Sequence, residues 1–485
     1  MSSEPRLLHL RASTRLIIGA VAFAVFTVCL LMLVPLSFCA DYRADAQDML
    51  LYGIVVPVIP TALEQRVHLP PGNRQRWTSA LLAIYAAGLL IASPVFGLIA
   101  DQTNSRRVPL LFGLIAFAAA TALLCVGTNL GLWISGRLFQ GISAAMVWTV
   151  SLALLVDTVN ETQIGKAMGV IGTAISVGTM LGPLLGGVLY QHGGYYSVFG
   201  LAFGVIAIDL LLRLAMIEKR HAEKWLSTPS AMSETAHSST QQQESQALRD
   251  GVTRGQVAGG YRSTKSQVQV GHLKPLLVLI RSPRMAITLF AYFVMASLMT
   301  AFDSVLPLFV KETFGWGQTG EGLIFVPLFL PHFLEPLAGA VLDRFPASGR
   351  YLTAGSLLGM TPFLVLLRLV THDSIEQKIL LSALLILIGL TFAAGLPPLL
   401  AEISYLIAAK EKEHQGIFGA HGAVAQGYGL FNCAFAAGSL VGPIWAGMIR
   451  DEYGWGTMSW SLGVLSSFAS VPTLLFLGGS IYSRS

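Results

Sequence analysis

Charge is scarce in this chain. Asp, Glu, Lys and Arg make up 12% of its 485 residues, whereas 54% are hydrophobic. The charged share is about half that of a typical soluble domain. A water-facing surface cannot be covered with so few charges, so the net charge of +5 reads as membrane topology and not as a nucleic-acid footprint. Cysteine is also sparse: Cys29, Cys39, Cys125 and Cys433 have neither metal-ligand spacing nor a paired framework, so no disulfide scaffold, metal site or other cofactor is expected. The G-x-x-x-x-G-K-[ST] phosphate loop is missing, which points to an ion gradient as the energy source. No small-residue cleavage site follows the first apolar run, so a removable signal peptide is not expected. The ionisable residues are scattered along the apolar runs and do not converge, which argues against a membrane-embedded enzyme.

What the chain has in abundance is apolar runs long enough to cross a bilayer as helices. They lie at Leu16–Leu63, Thr78–Ala100, Val108–Val126, Leu132–Val156, Met168–Tyr190 and Ser197–Ile217, then at Met285–Val310, Gly320–Leu342, Leu352–Val370, Ile379–Ile407, Ala423–Ile449 and Thr457–Ile481. Between the two sets, residues 218–282 contain "STPSAMSETAHSSTQQQESQ", a polar stretch expected to be a disordered linker. The expected fold class is therefore all-α and polytopic, with twelve transmembrane helices in two halves, residues 1–217 and 283–485. Arg106, Arg107, Lys166, Lys219, Arg220, Lys224, Arg344, Arg350, Lys410 and Lys412 fall on the side of the N-terminus. The positive-inside rule then places both termini and the linker in the cytoplasm.

The halves echo one another. "GLIAD", Gly97 to Asp101, closes the second span, and "GAVLD", Gly339 to Asp343, closes the eighth. "SVGTMLGPLLGG" in the fifth span, with Gly178, Gly182, Pro183, Gly186 and Gly187, is matched by "VGPIWAG" in the eleventh, with Gly442 and Pro443. Small side chains let helix backbones approach closely, and an internal proline bends a helix. Paired six-span repeats with sites at their interface describe secondary transporters.

On these motifs the chain resembles the major facilitator superfamily, over nearly its full length apart from tails and linker. "GLIADQTNSRR" is similar to the superfamily signature between spans two and three, with Gln102 and Asn104 where Arg and Gly are usual. Asp101 could accept hydrogen bonds from Arg106 or Arg107, or cap a neighbouring helix, and so hold one gate state. "GRLFQGISAA" resembles the fourth-span motif of drug and amine antiporters, with Arg137 and Gln140. Arg137 either snorkels to the interface or biases a nearby carboxylate. "GTMLGPLLGG" resembles the fifth-span motif of exporters. "DMLLYGIVVPVIP" resembles the first span of the drug:proton and vesicular amine antiporter branch, which implies that Asp48 and Tyr52 face a central cavity. Asp303 matches an acidic residue of that branch's seventh span; Glu335, one turn after His332, and Glu402 are further candidates for binding proton or substrate. A buried carboxyl can trade a proton for a cationic or polar substrate. Asn432 stands where the amine transporters carry Asp, and the resemblance is closer to fungal-type exporters of drugs and metabolites. It implies a monomeric, multi-pass plasma-membrane antiporter exchanging protons for a small organic molecule. A vesicular or vacuolar amine-type carrier and a transporter-like sensor are the alternatives.

The stretch "VCLLMLVPLSFCADYRADAQ", Val28 to Gln47, interrupts the first span. Without it, "LIIGAVAFAVFT" runs directly into "DMLLYGIVVPVIP" as one span of suitable length. Its ends can be encoded by splice-donor and acceptor sequences, so residues 28–47 read as a retained short intron; the alternative is a real re-entrant insertion covering the outer mouth.

Overall fold

The computed structural model describes residues 40–56, 58–70, 74–103, 107–159, 163–215, 274–316, 318–418 and 422–478. Their regular structure is helical throughout: α1 (Ala40–Val55), α2 (Val58–Gln65), α3 (Arg74–Gln102), α4 (Arg107–Cys125), α5 (Leu130–Thr158), α6 (Ile164–Gly193), α7 (Tyr195–Ala215), α8 (Lys274–Ile280), α9 (Pro283–Phe314), α10 (Gln318–Leu323), α11 (Phe325–Phe329), α12 (Glu335–Arg344), α13 (Ser348–Leu366), α14 (Ile375–Glu413) and α15 (Val424–Phe476). Among the described residues, 9 helical segments are long and apolar enough to cross a membrane. The other three expected spans correspond to α1 with α2, to α7, and to the second limb of α15, which turns at Gly454 (φ 81°).

Helix ends are set by familiar local chemistry. Asn129 accepts a hydrogen bond from the Leu132 amide at 2.9 Å to start α5, and Ser374 accepts from Gln377 at 3.2 Å to start α14; each satisfies an amide that has no partner within its helix. Gly315 takes the left-handed φ of 62° that ends α9. Large apolar side chains such as Val108, Phe112, Leu211, Ile375 and Phe468 point outward and are exposed. In water this would be a liability, but for helices in lipid it is the expected arrangement.

Two polar segments of the sequence are in part helical. Residues 40–47, part of the suspected insert, are helical and continuous with the rest of α1, and Gln47 is buried; residues 28–39 lie outside the described residues. Residues of good or middling helix propensity (Ala, Arg, Gln, Asp) let the helix extend through this polar sequence. The polar stretch at 218–282 ends in a helix, α8, whose Leu279 is buried; its apolar "PLLVLI" has something to pack, unlike the Ser/Gln-rich part. Residues 216–273 lie outside the described residues.

Each half contains a crossing built on glycine. In the first half α6 lies on α1: a Cβ on Gly182 would come within 2.8 Å of the Gly53 Cα and 2.9 Å of the Leu50 carbonyl oxygen, and one on Gly186 would overlap the Ile54 carbonyl. In the second, the first limb of α15 lies on α9, with Gly438 against the Phe293 carbonyl and Gly442 against Ser297 and Thr300. Backbone-to-backbone contact of this kind gives van der Waals attraction that lipid-facing leucines cannot supply. Gly187 and Gly447 face open space, so the packing stripe stops at Gly186 and leaves out Gly187.

Candidate functional site

The halves meet along two seams, α3 against α15 and α6 against α12. Each seam is closed at one end by a carboxylate. Asp101, at the end of α3, accepts from the amides of Ala425 and Gln426 at 3.0 and 2.9 Å. Asp343, at the end of α12, accepts from the amides of Gly165 and Lys166 at 2.7 and 2.8 Å. Each carboxylate sits on the N-terminus of a helix from the opposite half, where unsatisfied amides and the helix dipole favour an anion. Gly97 and Gly339 make the approach possible, because a Cβ on either would collide with the backbone of the capped segment. Of the two readings open for Asp101, the geometry is that of a cap on a neighbouring helix. The side chains of Arg106 and Arg107 lie outside the described residues.

Behind these two latches the seams are filled. The Tyr428 hydroxyl lies 2.8 Å from the Ser404 hydroxyl, donates to the Leu400 carbonyl at 3.0 Å and touches the Met168 sulfur at 3.9 Å. The Asn432 amide donates to Thr149 of the other half at 3.1 Å. Further from the latches, Tyr292 stacks on Phe431 with centroids 3.6 Å apart, and Phe435 stacks on Trp148 at 5.9 Å. Together these rings form an aromatic floor.

Above the floor lies a cavity lined from both halves. Tyr52, Tyr85 and Leu89 come from one side, Thr300, Asp303 and Phe435 from the other. The Tyr52 and Tyr85 rings lie 4.8 Å apart. Asp303 is the one carboxyl on the wall among the described residues. Its polar neighbours there include Ser439, whose buried hydroxyl has no hydrogen-bond partner.

Arg137 stands behind the two tyrosines, its guanidinium carbon 5.5 Å from the Tyr52 centroid and 5.7 Å from that of Tyr85. It is completely buried, so it does not snorkel. It donates to Gln140 at 3.2 Å, and Gln140 donates to Thr121 at 3.0 Å, while Nε and Nη2 make no hydrogen bond. The cation is held by aromatic faces and one amide, an arrangement that leaves its charge poorly compensated.

Residues 46–426 match the Major Facilitator Superfamily. The chain belongs to this superfamily. Among its relatives is an uncharacterized MFS-type transporter of Schizosaccharomyces pombe, 33% identical over 462 residues, spanning 95% of each chain. The MFS-type transporter ppzB of Metarhizium majus is 32% identical, covering 89% of this chain and 97% of that one. The crystal structure of a human organic anion transporter (TETRAN) shares the fold with a TM-score of 0.63 at 17% identity, covering 91% of this chain and 100% of that one. This facilitator is thus a multi-pass membrane transporter of a small molecule, not an enzyme.

The residues read from the sequence do not all converge. Tyr52 and Asp303 meet at the cavity, and Gly182 and Gly186 build the crossing on the side of it away from the latches. The side chain of Asp48 lies outside the described residues, although its backbone is in α1. Gln140 and Asn432, expected in the cavity, are spent on Arg137 and Thr149 and are not on its wall. Glu402 also lies away from it, paired with Arg284 and accepting from the Gly478 amide at 3.0 Å. Glu335 is buried in the α6–α12 seam. Tyr85, Thr300 and Ser439 were missed; Tyr85 and Ser439 sit in plain apolar sequence, and only the helical spacing of Thr300 from Asp303 was available as a signal.

Proposed function

We propose that this transporter exports a small amphipathic or cationic organic molecule, exchanging it for protons across the plasma membrane. Asp303 carries the reading: a carboxyl on an aromatic, mostly apolar wall between two halves can hold either a proton or a cationic group, but not both. Competition for one carboxylate is the simplest way to couple opposite fluxes. Arg137 tunes this exchange from behind Tyr52 and Tyr85, and Asp48 contributes a second carboxyl on the strength of the family resemblance. The latches at Asp101 and Asp343 hold the state closed on the cytoplasmic side, which is the side richer in Arg and Lys, and they part when the halves rock. Residues 28–47 are proposed to be absent from the transporter made in the cell, and the transporter to work as a monomer.

The test is flux in proteoliposomes that hold the purified chain, with a fluorescent amphipathic cation as probe. An acid-inside pH gradient should drive accumulation, and Asp303→Asn should reduce it at least tenfold, because an amide cannot exchange a proton. Equal accumulation after the gradient is collapsed, or in Asp303→Asn, overturns the assignment. The absence of any flux, with binding retained, favours a sensor.

A further inference from the structure

A second acid lies outside the cavity. Glu335 opens α12, directly after the 3-10 turn Leu330–Leu334 that breaks this span. Its side chain is wholly buried, and the Ser176 hydroxyl of α6 is its one side-chain hydrogen-bond donor among the described residues. The His332 Nε2, also buried, lies 3.8 Å from one oxygen. The other oxygen occupies the space that a side chain at Gly172 of α6 would fill. Around the pair, α6 presents Gly169, Gly172, Thr173 and Ser176, and α14 presents Gly389 and Phe392. None of these carries a charge. Lys166 of α6 is exposed at the latch, Asp343 is bound to α6 amides, and Glu402 of α14 is paired with Arg284.

An ionised carboxylate in such a seam would have one hydroxyl and no cation to offset its burial, a state the group avoids by holding a proton. The site is also a junction: α6 belongs to one half and α12 to the other, so the carboxyl is dry only while the halves touch. We propose that Glu335 and His332 form a proton-binding site in the α6–α12 seam, separate from the substrate cavity and filled whenever that seam is closed. With the seam shut, the carboxyl O–H is kept and faces the imidazole. When α6 and α12 part, water reaches the carboxyl, the proton passes to that water, and the carboxylate left behind opposes reclosure until it is protonated again. This inference rests on the proton-coupled reading, to which it adds a second proton, one tied to the conformational step and not to the substrate.

Infrared difference spectroscopy of the full chain in lipid vesicles, titrated with pH and without substrate, tests the site. The protonated-carboxyl region should contain a band that disappears in Glu335→Gln and survives in Asp303→Asn. Glu335→Asp should move that band, and His332→Gln should shift the pH at which it is lost. A carboxyl region identical in wild type and Glu335→Gln overturns the proposal; should that variant fail to insert, an unmoved band in Glu335→Asp overturns it equally. Because no substrate is present, a missing Glu335 band leaves the cavity reading standing. Absent proton-driven flux with the band intact refutes the cavity reading alone.

Discussion

The two halves share a scaffold and differ in chemistry. In the first, the α1–α6 crossing is made of bare backbone, Gly53 against Gly182 and Gly186 against Ile54, and the nearby cavity wall is aromatic, with Arg137 behind it. In the second, the α9–α15 crossing keeps Gly438 and Gly442 but has Ala446 at the place of Gly186, and Thr300 supplies a hydroxyl beside Gly442. Thr300, Asp303 and Ser439 then put polar atoms on the cavity wall. Symmetry is kept where helices must touch and is given up where a substrate must be told from lipid. A buried cation thus stands on one side of the cavity and a carboxyl on the other.

The largest effect that would break this comparison lies in the crossings. Gly186→Ala should destabilise the protein by about 1–3 kcal/mol through overpacking, whereas Gly187→Ala should be neutral or stabilising by up to about 1 kcal/mol. Gly442→Ala and Gly447→Ala should repeat the contrast in the second half. Thermal unfolding in detergent measures all four, and equal melting temperatures within each pair would refute the packing account. Next come the latches. Removing a carboxylate cap costs about 0.5–2 kcal/mol, so Asp101→Ala and Asp343→Ala should each shift the population toward the state open at that end, read from spin-label distances between the halves. Asp101 is buried and Asp343 half-buried, so the shift should be larger for Asp101. Asn432→Ala should weaken the seam by about 0.5–1.5 kcal/mol, the usual worth of a hydrogen bond; the double variant with Thr149→Ala should cost no more than the single one. Smallest of all, Glu402→Gln should leave the pH dependence of flux unchanged, since its carboxylate serves Arg284 and the Gly478 amide. A displaced pH profile would return Glu402 to the coupling machinery.

Much of the fold was legible because a helix in lipid must be apolar and of a fixed length, and both properties can be read from a run of residues. The paired "GLIAD" and "GAVLD" motifs disclosed the latches for a related reason: a glycine and a carboxylate one turn apart have few uses at a span end. The cavity was harder. Asp303 and Tyr52 stand out by type or by family likeness, but the roles of Gln140, Asn432 and Glu402 depend on which helix each one faces, and an apolar background carries little periodicity to reveal that. Glu335 was visible as an acid in a span, while its burial against Gly172 depends on a crossing of two distant segments. Whether residues 28–47 belong to the first span is not legible from the helix at 40–47, because a polar segment of fair helix propensity continues a helix whatever its origin. Sequencing the transcript across Thr27–Asp48 tests whether residues 28–47 survive splicing.

The latches have one further consequence. The first half offers a carboxylate on α3 and an open helix N-terminus on α6; the second offers a carboxylate on α12 and an open N-terminus on α15. Each half therefore carries both a plug and a socket. Such a surface is self-complementary about a two-fold axis, so a single half could close on a copy of itself. The present chain has the form expected of a homodimer whose two copies were fused end to end and then allowed to diverge at the centre.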